Sequence, residues 1–556
     1  MDNQSLLQHN PLDNSGSFGQ SNTAGNSSNT LQQTKKDANI SNLASSSSSL
    51  SSSVTKEKKH FNNGDTKDVH SYDKGEQDWG EPQELTGEID TLSLLTPEER
   101  VTLKSYARKT DLRIILYSAI GFMLCMVDRT NIGSAKISGL EEDISLTDTT
   151  YSIALSIFYV SYLFMQVTSN VFLKMMGPSK WIPFLGTSWG IICMCQTAVK
   201  NAGGLIAVRL FLGACEAGLS PGMIYLISFW YPRQMAGHRM TCFFLSTAFA
   251  SIFSGPLAAG LSSIPEKTGL RGWQWIFLIE GLITVLWGIG GLFVYKDYPE
   301  KAGIFTKDER NVIGKIMKME KSLASQSKMT RKNITIGALD WKTWLWGSIS
   351  FAGVFPINTN AIFAPSLIKD MGHKAVEAQV LTSVPALCGG IVMVSGLFLP
   401  RILGGHSICK ILYTSLTLTG CLILIFISNN YAKLIGLCLL ASGGYGNLAI
   451  DPGYYSSNTG GVIKRGITTG IIVCLGSFSG FAVSYCYPHR DAPRYLAGHS
   501  VNLAMSIYVI CGTLFLRWWY SHQNKKKEKN PVDISHMSRA EQDRLCDNHP
   551  KFRYIY

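Results

Sequence analysis

Long apolar stretches alternate with short polar breaks along most of the chain, from about residue 112 to residue 520. Twelve of these stretches approach the ~20 residues that an α-helix needs to cross a lipid bilayer. The predicted spans are 112–134, 150–171, 180–199, 205–230, 239–262, 274–295, 342–366, 377–399, 407–428, 432–454, 466–487 and 500–520. A long polar segment separates the first six spans from the last six. The pattern therefore predicts an all-α polytopic membrane protein with twelve transmembrane helices in two six-helix bundles.

The polar segments divide the chain into five predicted regions. These are an N-terminal tail (1–110) with a short helix near 96–109, a first bundle (111–296), a basic cytosolic loop (297–341), a second bundle (342–521) and a C-terminal tail (522–556). The short helix is expected to start at Thr96, because Thr96 and Glu99 have the spacing of a capping box. Residues 1–90 are rich in Ser and Asn and are expected to be disordered. This tail is either inert or regulatory, through contacts with a kinase or a ubiquitin ligase.

Composition supports a membrane protein and argues against nucleic-acid binding. Only 16% of the residues are charged, against about 25% in a typical soluble chain. The formal net charge of +12 comes largely from Lys and Arg in short loops between the apolar stretches. Their excess falls on the side of the two tails, so the positive-inside rule places both termini in the cytosol, and we expect a multi-pass protein of the plasma membrane.

No cofactor, metal or enzyme site is predicted. The 13 cysteines lie mostly inside apolar stretches without the spacing of a zinc site, and they are interpreted as small apolar fillers. Neither a nucleophile–base constellation nor a Walker A motif is present, which argues against an enzyme and against transport driven by ATP.

Charged residues inside the predicted spans are few, and each needs a partner or a role because burying charge in a bilayer is costly. Asp128 and Arg129 are adjacent in the first span and point about 100° apart on a helix, so they do not face each other. Arg129 is a candidate to bind a substrate carboxylate, because its planar guanidinium stays charged. The alternative for Arg129 is a salt bridge that holds helices together, and for Asp128 the two interpretations stay open.

The fourth span carries Arg209 and Glu216, two helical turns apart on one face. Glu216 has no basic residue within one turn of its own helix, and an isolated carboxylate in a membrane readily gains and loses a proton. Glu216 is therefore the candidate for proton coupling, with Asp128 beside it. The alternative is a permanent pair with Arg129 or Arg209 across helices. Glu280 in the sixth span is expected to serve helix packing.

The second half shows almost no charge inside its predicted spans, so its candidate substrate contacts are polar and neutral. Each of these residues also has a simpler interpretation as a hydrogen bond between helices. The candidates are Asn358, Asn360, Tyr445, Asn447 and Ser477 in the second half, with Tyr159 and Tyr162 in the second span of the first half.

Eight motifs in order carry a resemblance to a known family. They are Arg108 to Arg113, Asp128 to Gly133, Arg209 to Gly222, Gly272 to Phe277, Asp297 to Glu300, Lys464-Arg465, Ala492 to Gly498 and Phe552 to Tyr554. With these motifs the chain resembles the anion:cation symporters of the major facilitator superfamily, in the branch of the fungal allantoate permeases. The resemblance implies the major facilitator fold and import of an organic anion with protons. It also implies that Arg129 meets the anion, that Glu216 meets the proton, and that Asp128 and Arg209 belong to a linked charge network, in which Arg209 is a further candidate for substrate binding.

The expected partners are therefore a small organic anion, protons and the lipid bilayer. Nicotinate is the first expected substrate, and the resemblance also suggests allantoate, pantothenate, biotin, cysteine or a sulfonate. A nutrient sensor of the same fold, which binds but hardly transports, is the alternative from a different functional class.

Overall fold

The computed structural model describes residues 95–265, 269–299, 302–325, 331–530, 532–534, 536–537, 541–542 and 545–556. All regular secondary structure within these ranges is helical. The predicted disordered tail, with its expected contacts to a kinase or a ubiquitin ligase, lies outside the described residues.

The helices of the first half, in chain order, are α1 Pro97–Thr110, α2 Leu116–Ala135, α3 Asp148–Met176, α4 Pro178–Cys195, α5 Ala202–Glu216, α6 Leu219–Trp230, α7 Arg233–Ser262 and α8 Gly272–Val294. Two connecting helices follow, α9 Lys307–Ser325 and α10 Arg331–Ala338. The helices of the second half are α11 Trp341–Asp370, α12 Ala375–Leu381, α13 Ser383–Ser395, α14 His406–Phe426, α15 Asn430–Ser457, α16 Val462–Val483 and α17 Leu496–Lys529.

The predicted fold class is confirmed. Eleven helical segments in the described ranges are long and apolar enough to cross a membrane. The remaining predicted span, 180–199, falls on α4, which has 18 residues and carries Lys180 and Pro183. Helices α5 and α6 together form one segment of this kind. Together with α4 there are twelve spans, and successive spans cross the bundle in opposite directions. The segments before the first span and after the last span therefore lie on the same side of the bundle. This side is called the termini side, and the other is called the distal side.

The fourth span is interrupted immediately after Glu216. Helix α5 ends at Glu216, and α6 begins at Leu219. Pro221 explains the interruption, because it has no N–H to donate to the carbonyl of Ala217 one turn earlier. Glu216 therefore lies at a helix end inside the bundle, where its side chain meets α2.

Close helix approach in the first half depends on glycine. A Cβ atom on Gly190 of α4 would lie 2.9 Å from the carbonyl oxygen of Gly281 on α8, and one on Gly281 would lie 2.8 Å from that of Gly190. Such contacts are too short for any side chain. Small residues at a crossing allow two backbones to approach, as is common in membrane bundles, and this brings the α4 and α8 side chains into one layer with α2.

Hydrogen bonds join the two halves near the middle of the bundle and on its distal side. Ser156 of α3 hydrogen-bonds Tyr485 at 2.8 Å, and Gln379 of α12 donates to the Ser138 hydroxyl at 2.8 Å. Nearer the middle, the hydroxyls of Ser251 and Tyr445 lie 2.5 Å apart. These bonds join α3, α7 and the segment just after α2 to α15, to α12 and to the segment just after α16.

The basic segment between the halves is folded into helices. Thr96 caps α1 through a capping box with Glu99, and α1 lies against α9. Lys109 contacts Glu309 at 2.8 Å, and Lys315 contacts Glu99 at 2.8 Å. The segment before the first span is thus tied by two ion pairs to the connection between the halves.

The C-terminal segment folds back onto the second half on the termini side. The Asn524 side chain brackets the backbone of Tyr554, donating to its carbonyl at 2.8 Å and accepting from its N–H at 2.9 Å. Asp547 is fully buried between Lys342, at 2.6 Å, and Lys464. The Tyr554 hydroxyl also donates to Asp547 at 3.0 Å. The predicted C-terminal tail therefore contributes packing to the second bundle.

Neutralising Asp547 is expected to loosen this segment. Burial alone would raise the pKa of Asp547, but Lys342 and Lys464 hold it below its usual value. A lowered folded pKa adds stability that is present above the unfolded pKa and is lost as pH falls through the folded pKa. Asp547→Asn should cost about 1–3 kcal/mol at neutral pH, because the buried Lys464 and the half-buried Lys342 each lose a partner.

The measurement is thermal unfolding of purified protein as a function of pH, with the exposed Asp308→Asn as the matched control. The deficit of Asp547→Asn should shrink as pH falls toward the acid limit of folding. A loss of stability that is the same at all pH values, or no loss at all, would show that the ionised Asp547 carboxylate does not stabilise this segment.

Candidate functional site

The centre of the site is an ion pair between the first and fourth spans. Arg129 Nε lies 2.9 Å from Glu216 Oε2, and the Cys125 thiol lies 3.3 Å from the same oxygen. The Glu216 side chain is fully buried, and that of Arg129 is 16% exposed. The pair across helices, which the sequence leaves open as an alternative, is present in this structure.

Aromatic rings hold the Arg129 guanidinium from the other side. Its carbon lies 4.5 Å from the ring centre of Tyr162 and 5.5 Å from that of Phe158. Cation–π contacts of this kind stabilise a cation where water is scarce. Helix α3 approaches α5 closely because Gly213 has no side chain; a Cβ there would lie 2.3 Å from the Phe158 carbonyl oxygen.

Part of this ion pair remains without a partner. Arg129 Nη2 and Glu216 Oε1 are buried, and within the described ranges neither has a hydrogen-bond partner. Unmade hydrogen bonds on buried charged groups are costly. A ligand carboxylate could accept a hydrogen bond from Arg129 Nη2. Protonation of Glu216 would break its ion pair with Arg129 and free the guanidinium for such a ligand. The geometry thus supports exchange of one anion for another at a single guanidinium.

Asp128 points away from Arg129 into a separate set of donors. Its carboxylate accepts from Trp189 Nε1 at 2.9 Å and from the Thr284 hydroxyl at 3.3 Å, and the Cys193 thiol lies 3.5 Å away. It is 1% exposed. Adjacent positions on α2 therefore serve two different sets of neighbours, as their helical angle predicts.

Arg209 lies at one end of a layer of largely buried charged side chains, which is called the charged layer and also contains Asp128, Arg129, Glu216 and Glu280. Its Nη2 donates to Asn131 Oδ1 at 3.2 Å, and its guanidinium carbon lies 5.9 Å from the Phe277 ring centre. Its Nε is buried without a hydrogen-bond partner among the described residues. Asn131 lies one turn after Asp128 on α2. Helix α2 therefore supplies both Arg129, which pairs with Glu216, and Asn131, which contacts Arg209.

The polar candidates of the second half separate into two groups. Asn358 donates to Ser479 at 2.8 Å, and Tyr159 packs directly over Gly480, where a Cβ would lie 2.1 Å from the Tyr159 ring. These residues border the junction of the halves. Asn447 bonds Thr414 at 3.1 Å, and this bond, like the one between Asn358 and Ser479, lies within the second half and fits the helix-packing interpretation.

Of the remaining candidates, Tyr445 lies at the same junction. Tyr445 bonds Ser251 of the first half at 2.5 Å. Asn360 is buried, and its Oδ1 has no partner in the described part of the chain. Ser477 is half-buried on α16. Tyr445 thus connects the halves directly, and Asn360 retains an acceptor that a ligand or a water molecule could use.

The expectation of an almost uncharged second half is wrong. Lys410 of α14 and Asp451 of α15 form a buried ion pair, with the Lys410 side chain fully inaccessible to solvent. Lys410 lies only four residues after the start of α14, and its position near a loop suggests an exposed cation in the sequence. Packing against Trp346, whose ring centre lies 5.9 Å from Lys410 Nζ, buries it instead.

Two cysteines have a polar environment that the sequence analysis missed. Cys125 and Cys193 were predicted to be apolar fillers, but their thiols face Glu216 and Asp128. A signal for Cys125 was present, because it lies four residues before Arg129 and hence on the same helical face. Trp189 and Cys193 are also four residues apart on α4, but nothing in the sequence pairs that face with Asp128.

A family model now identifies the fold. The model of the Major Facilitator Superfamily matches residues 118–484, more than half of the chain. The chain belongs to the Major Facilitator Superfamily. It is therefore a multi-pass membrane transporter of small molecules, and its class is not that of an enzyme.

Curated fungal members of this superfamily match over most of their length. The chain is 29% identical to the MFS-type transporter cnsO of Penicillium expansum over 472 residues, covering 81% of this chain and 90% of that protein. It is 28% identical to the high-affinity nicotinic acid transporter of Saccharomyces cerevisiae over 488 residues, covering 85% and 90%.

Solved structures of the superfamily share the fold at low identity. A D-xylose-proton symporter aligns with a TM-score of 0.57 at 13% identity, covering 73% of this chain and 96% of that one. A bacterial homologue of the lysosomal transporter Spinster, in an inward-facing conformation, aligns with a TM-score of 0.57 at 11% identity, covering 76% and 96%. The arrangement of helices is therefore that of the major facilitator fold.

The buried pair of the second half offers a test of its structural role. Lys410→Met leaves the Asp451 carboxylate without its cation, and breaking a buried pair in this way costs about 3–5 kcal/mol. The double variant Lys410→Met with Asp451→Leu should recover most of the loss, because no buried charge remains. Thermal unfolding in detergent measures both, with the exposed Lys369→Met as control. A single variant as stable as the parent would show that the pair is not required.

Proposed function

We propose that this transporter is a proton-coupled importer of a small organic anion, with nicotinate as the first substrate to test. The observation that carries the proposal is the buried pair of Arg129 and Glu216, in which Arg129 Nη2 and Glu216 Oε1 remain unpartnered. A substrate carboxylate competes with the Glu216 carboxylate for Arg129. Protonation of Glu216 removes its negative charge and so favours binding of the substrate. The finer assignment to the anion:cation symporter branch rests on the eight ordered motifs, two of which carry Arg129 and Glu216.

Proton coupling also answers the electrical problem of importing an anion. Moving one negative charge against an inside-negative potential costs about 2.3 kcal/mol per 100 mV. One proton per monoanion removes this cost, and more than one converts it into a driving force. Glu216 is the proposed site of the coupling proton, and Asp128, held by Trp189 and Thr284, is its proposed companion.

Substrate selectivity is proposed to arise at the junction of the halves. Arg129 supplies the charge recognition there, Tyr159 and Tyr162 supply aromatic walls, and the second half supplies polar groups. The proposed polar groups are Asn358, Asn360, Tyr445 and Ser477, with Asn447 more remote and Arg209 supporting the charge network. The Saccharomyces relative named for nicotinic acid supports a planar aromatic monocarboxylate as the first test.

The proposed setting is the plasma membrane, with both termini and the connection between the halves in the cytosol. The excess of Lys and Arg in the loops of the termini side supports this orientation. The two six-helix bundles, 111–296 and 342–521, are proposed as the moving units, with the binding site between them.

The direct test of coupling is Glu216→Gln. Gln keeps the shape of the carboxyl but has no proton to carry, so concentrative uptake of radiolabelled nicotinate should be lost while binding and exchange persist. Uptake is measured at acidic and neutral pH with and without a protonophore. The control is Glu142→Gln, an exposed carboxylate outside the spans.

Acid-stimulated accumulation that survives in Glu216→Gln would contradict the proposed proton site. If the parent protein binds but accumulates none of a panel of carboxylates, with surface expression verified, the chain is a sensor and not an importer.

Recognition of the carboxylate is tested by Arg129→Lys. Lys retains the charge but has no planar fork and no stacking on Tyr162, so the apparent affinity should fall about tenfold or more, equivalent to roughly 1.5–3 kcal/mol for a hydrogen bond to a charged group. The exposed Arg401→Lys is the matched control. Equal half-saturation concentrations in Arg129→Lys and the parent would show that the carboxylate binds elsewhere.

A further inference from the structure

Glu280 of α8 is a buried carboxyl that the proposed transport cycle does not use. It is 2% exposed, and both of its oxygens lack a hydrogen-bond partner in the described residues. It lies close to Asn131, but the two side chains make no hydrogen bond within normal geometric limits. A carboxyl in this setting differs from Glu216, which has Arg129, and from Asp128, which has three donors.

The position of Glu280 follows from the contacts one turn to either side of it on α8. Phe277, three residues before it, faces the guanidinium of Arg209. Thr284, four residues after it, donates to Asp128. Residues at this spacing share one helical face. Glu280 therefore lies between the Arg209 and Asp128 ends of the charged layer.

The titratable groups that face Glu280 come from three helices. They are Asp128 of α2, the Cys193 thiol of α4 and Arg209 of α5. Helix α7 also packs against α8, but its ionisable side chains that the structure describes, Arg239 and Cys242, lie in its first three turns, toward the termini side. Arg209 is thus the only cation among these facing groups in the described structure, and its Nη2 is occupied by Asn131.

Charge balance in the layer indicates where a proton is held. Two arginines, Arg129 and Arg209, face three carboxyls, Asp128, Glu216 and Glu280, so full ionisation would leave the layer with a net charge of −1. An unpaired ionised carboxylate is far more costly to bury than a neutral carboxyl. Of the three carboxyls, Glu280 is the one that lacks both an ion-pair partner and a hydrogen-bond donor.

We propose that Glu280 holds a resident proton, which makes the charged layer neutral and stays bound through the transport cycle. The part of this inference that concerns transport rests on the proposed function. When a substrate anion replaces Glu216 at Arg129 and Glu216 takes up one proton, the layer again sums to zero. An ionised Glu280 would instead leave it at −1 and repel the incoming anion.

Infrared spectroscopy of the purified protein tests the proton directly and needs no transport. At neutral pH the spectrum of the parent minus that of Glu280→Gln should show the C=O stretch of one protonated carboxyl. Glu216→Gln, the matched control, should instead remove a carboxylate band. A carboxylate band lost in Glu280→Gln would overturn the proposal.

A second measurement covers the case in which Glu280→Gln does not fold. Parent protein labelled with ¹³C-carboxyl glutamate should show one protonated glutamate at neutral pH that persists as the pH is raised. Absence of any protonated glutamate band at neutral pH would overturn the proposal equally.

The transport arm separates this inference from the proposed function. Glu280→Gln should keep acid-stimulated accumulation with the parent pH profile and the same charge moved per substrate, while Glu216→Gln should not. Loss of accumulation or altered charge per substrate in Glu280→Gln would overturn the resident proton. Failure of the parent to accumulate any carboxylate would overturn the proposed function alone, because the infrared result still decides the state of Glu280.

Discussion

The ion pair between Arg129 and Glu216 is the interaction on which the first bundle is organised. It joins the first span to the fourth at the point where Pro221 interrupts the helix, so Glu216 meets α2 at a helix end. The pair remains stable away from water because Tyr162 and Phe158 cover the guanidinium. Burying this pair with unmade hydrogen bonds costs free energy. Binding of a ligand or a proton that satisfies those hydrogen bonds is therefore favourable.

The two halves handle buried charge in different ways. In the second half Lys410 is paired with Asp451, and the C-terminal Asp547 is enclosed by Lys342 and Lys464. These pairs hold helix ends together on or toward the termini side. In the first half three buried carboxyls, Asp128, Glu216 and Glu280, face two arginines, and several of their polar atoms lack a hydrogen-bond partner in the described residues.

The fold followed from the sequence because apolar length decides membrane insertion, and each of the twelve predicted spans falls on helix. The Arg129–Glu216 contact was predictable as one of two alternatives, since α2 and α5 each carry so few charges. The Lys410–Asp451 pair was not, because burial of a lysine near a helix start depends on Trp346 from another helix. The environment of Asp128 also depends on the glycine contacts that bring α4 and α8 together. The docking of the last residues depends on hydrogen bonds between the Asn524 side chain and the backbone of Tyr554, 30 positions later in the chain.

The proposed transport cycle depends on one exchange, in which a substrate carboxylate takes the place of Glu216 at Arg129 and Glu216 takes up a proton. The most direct measurement is the proton uptake of purified, lightly buffered protein when nicotinate or another bound carboxylate is added near neutral pH. The account predicts one proton taken up per anion bound, since charge in the buried layer must stay balanced. Anion binding without proton uptake would contradict the exchange and would leave the Arg129–Glu216 pair as a structural salt bridge.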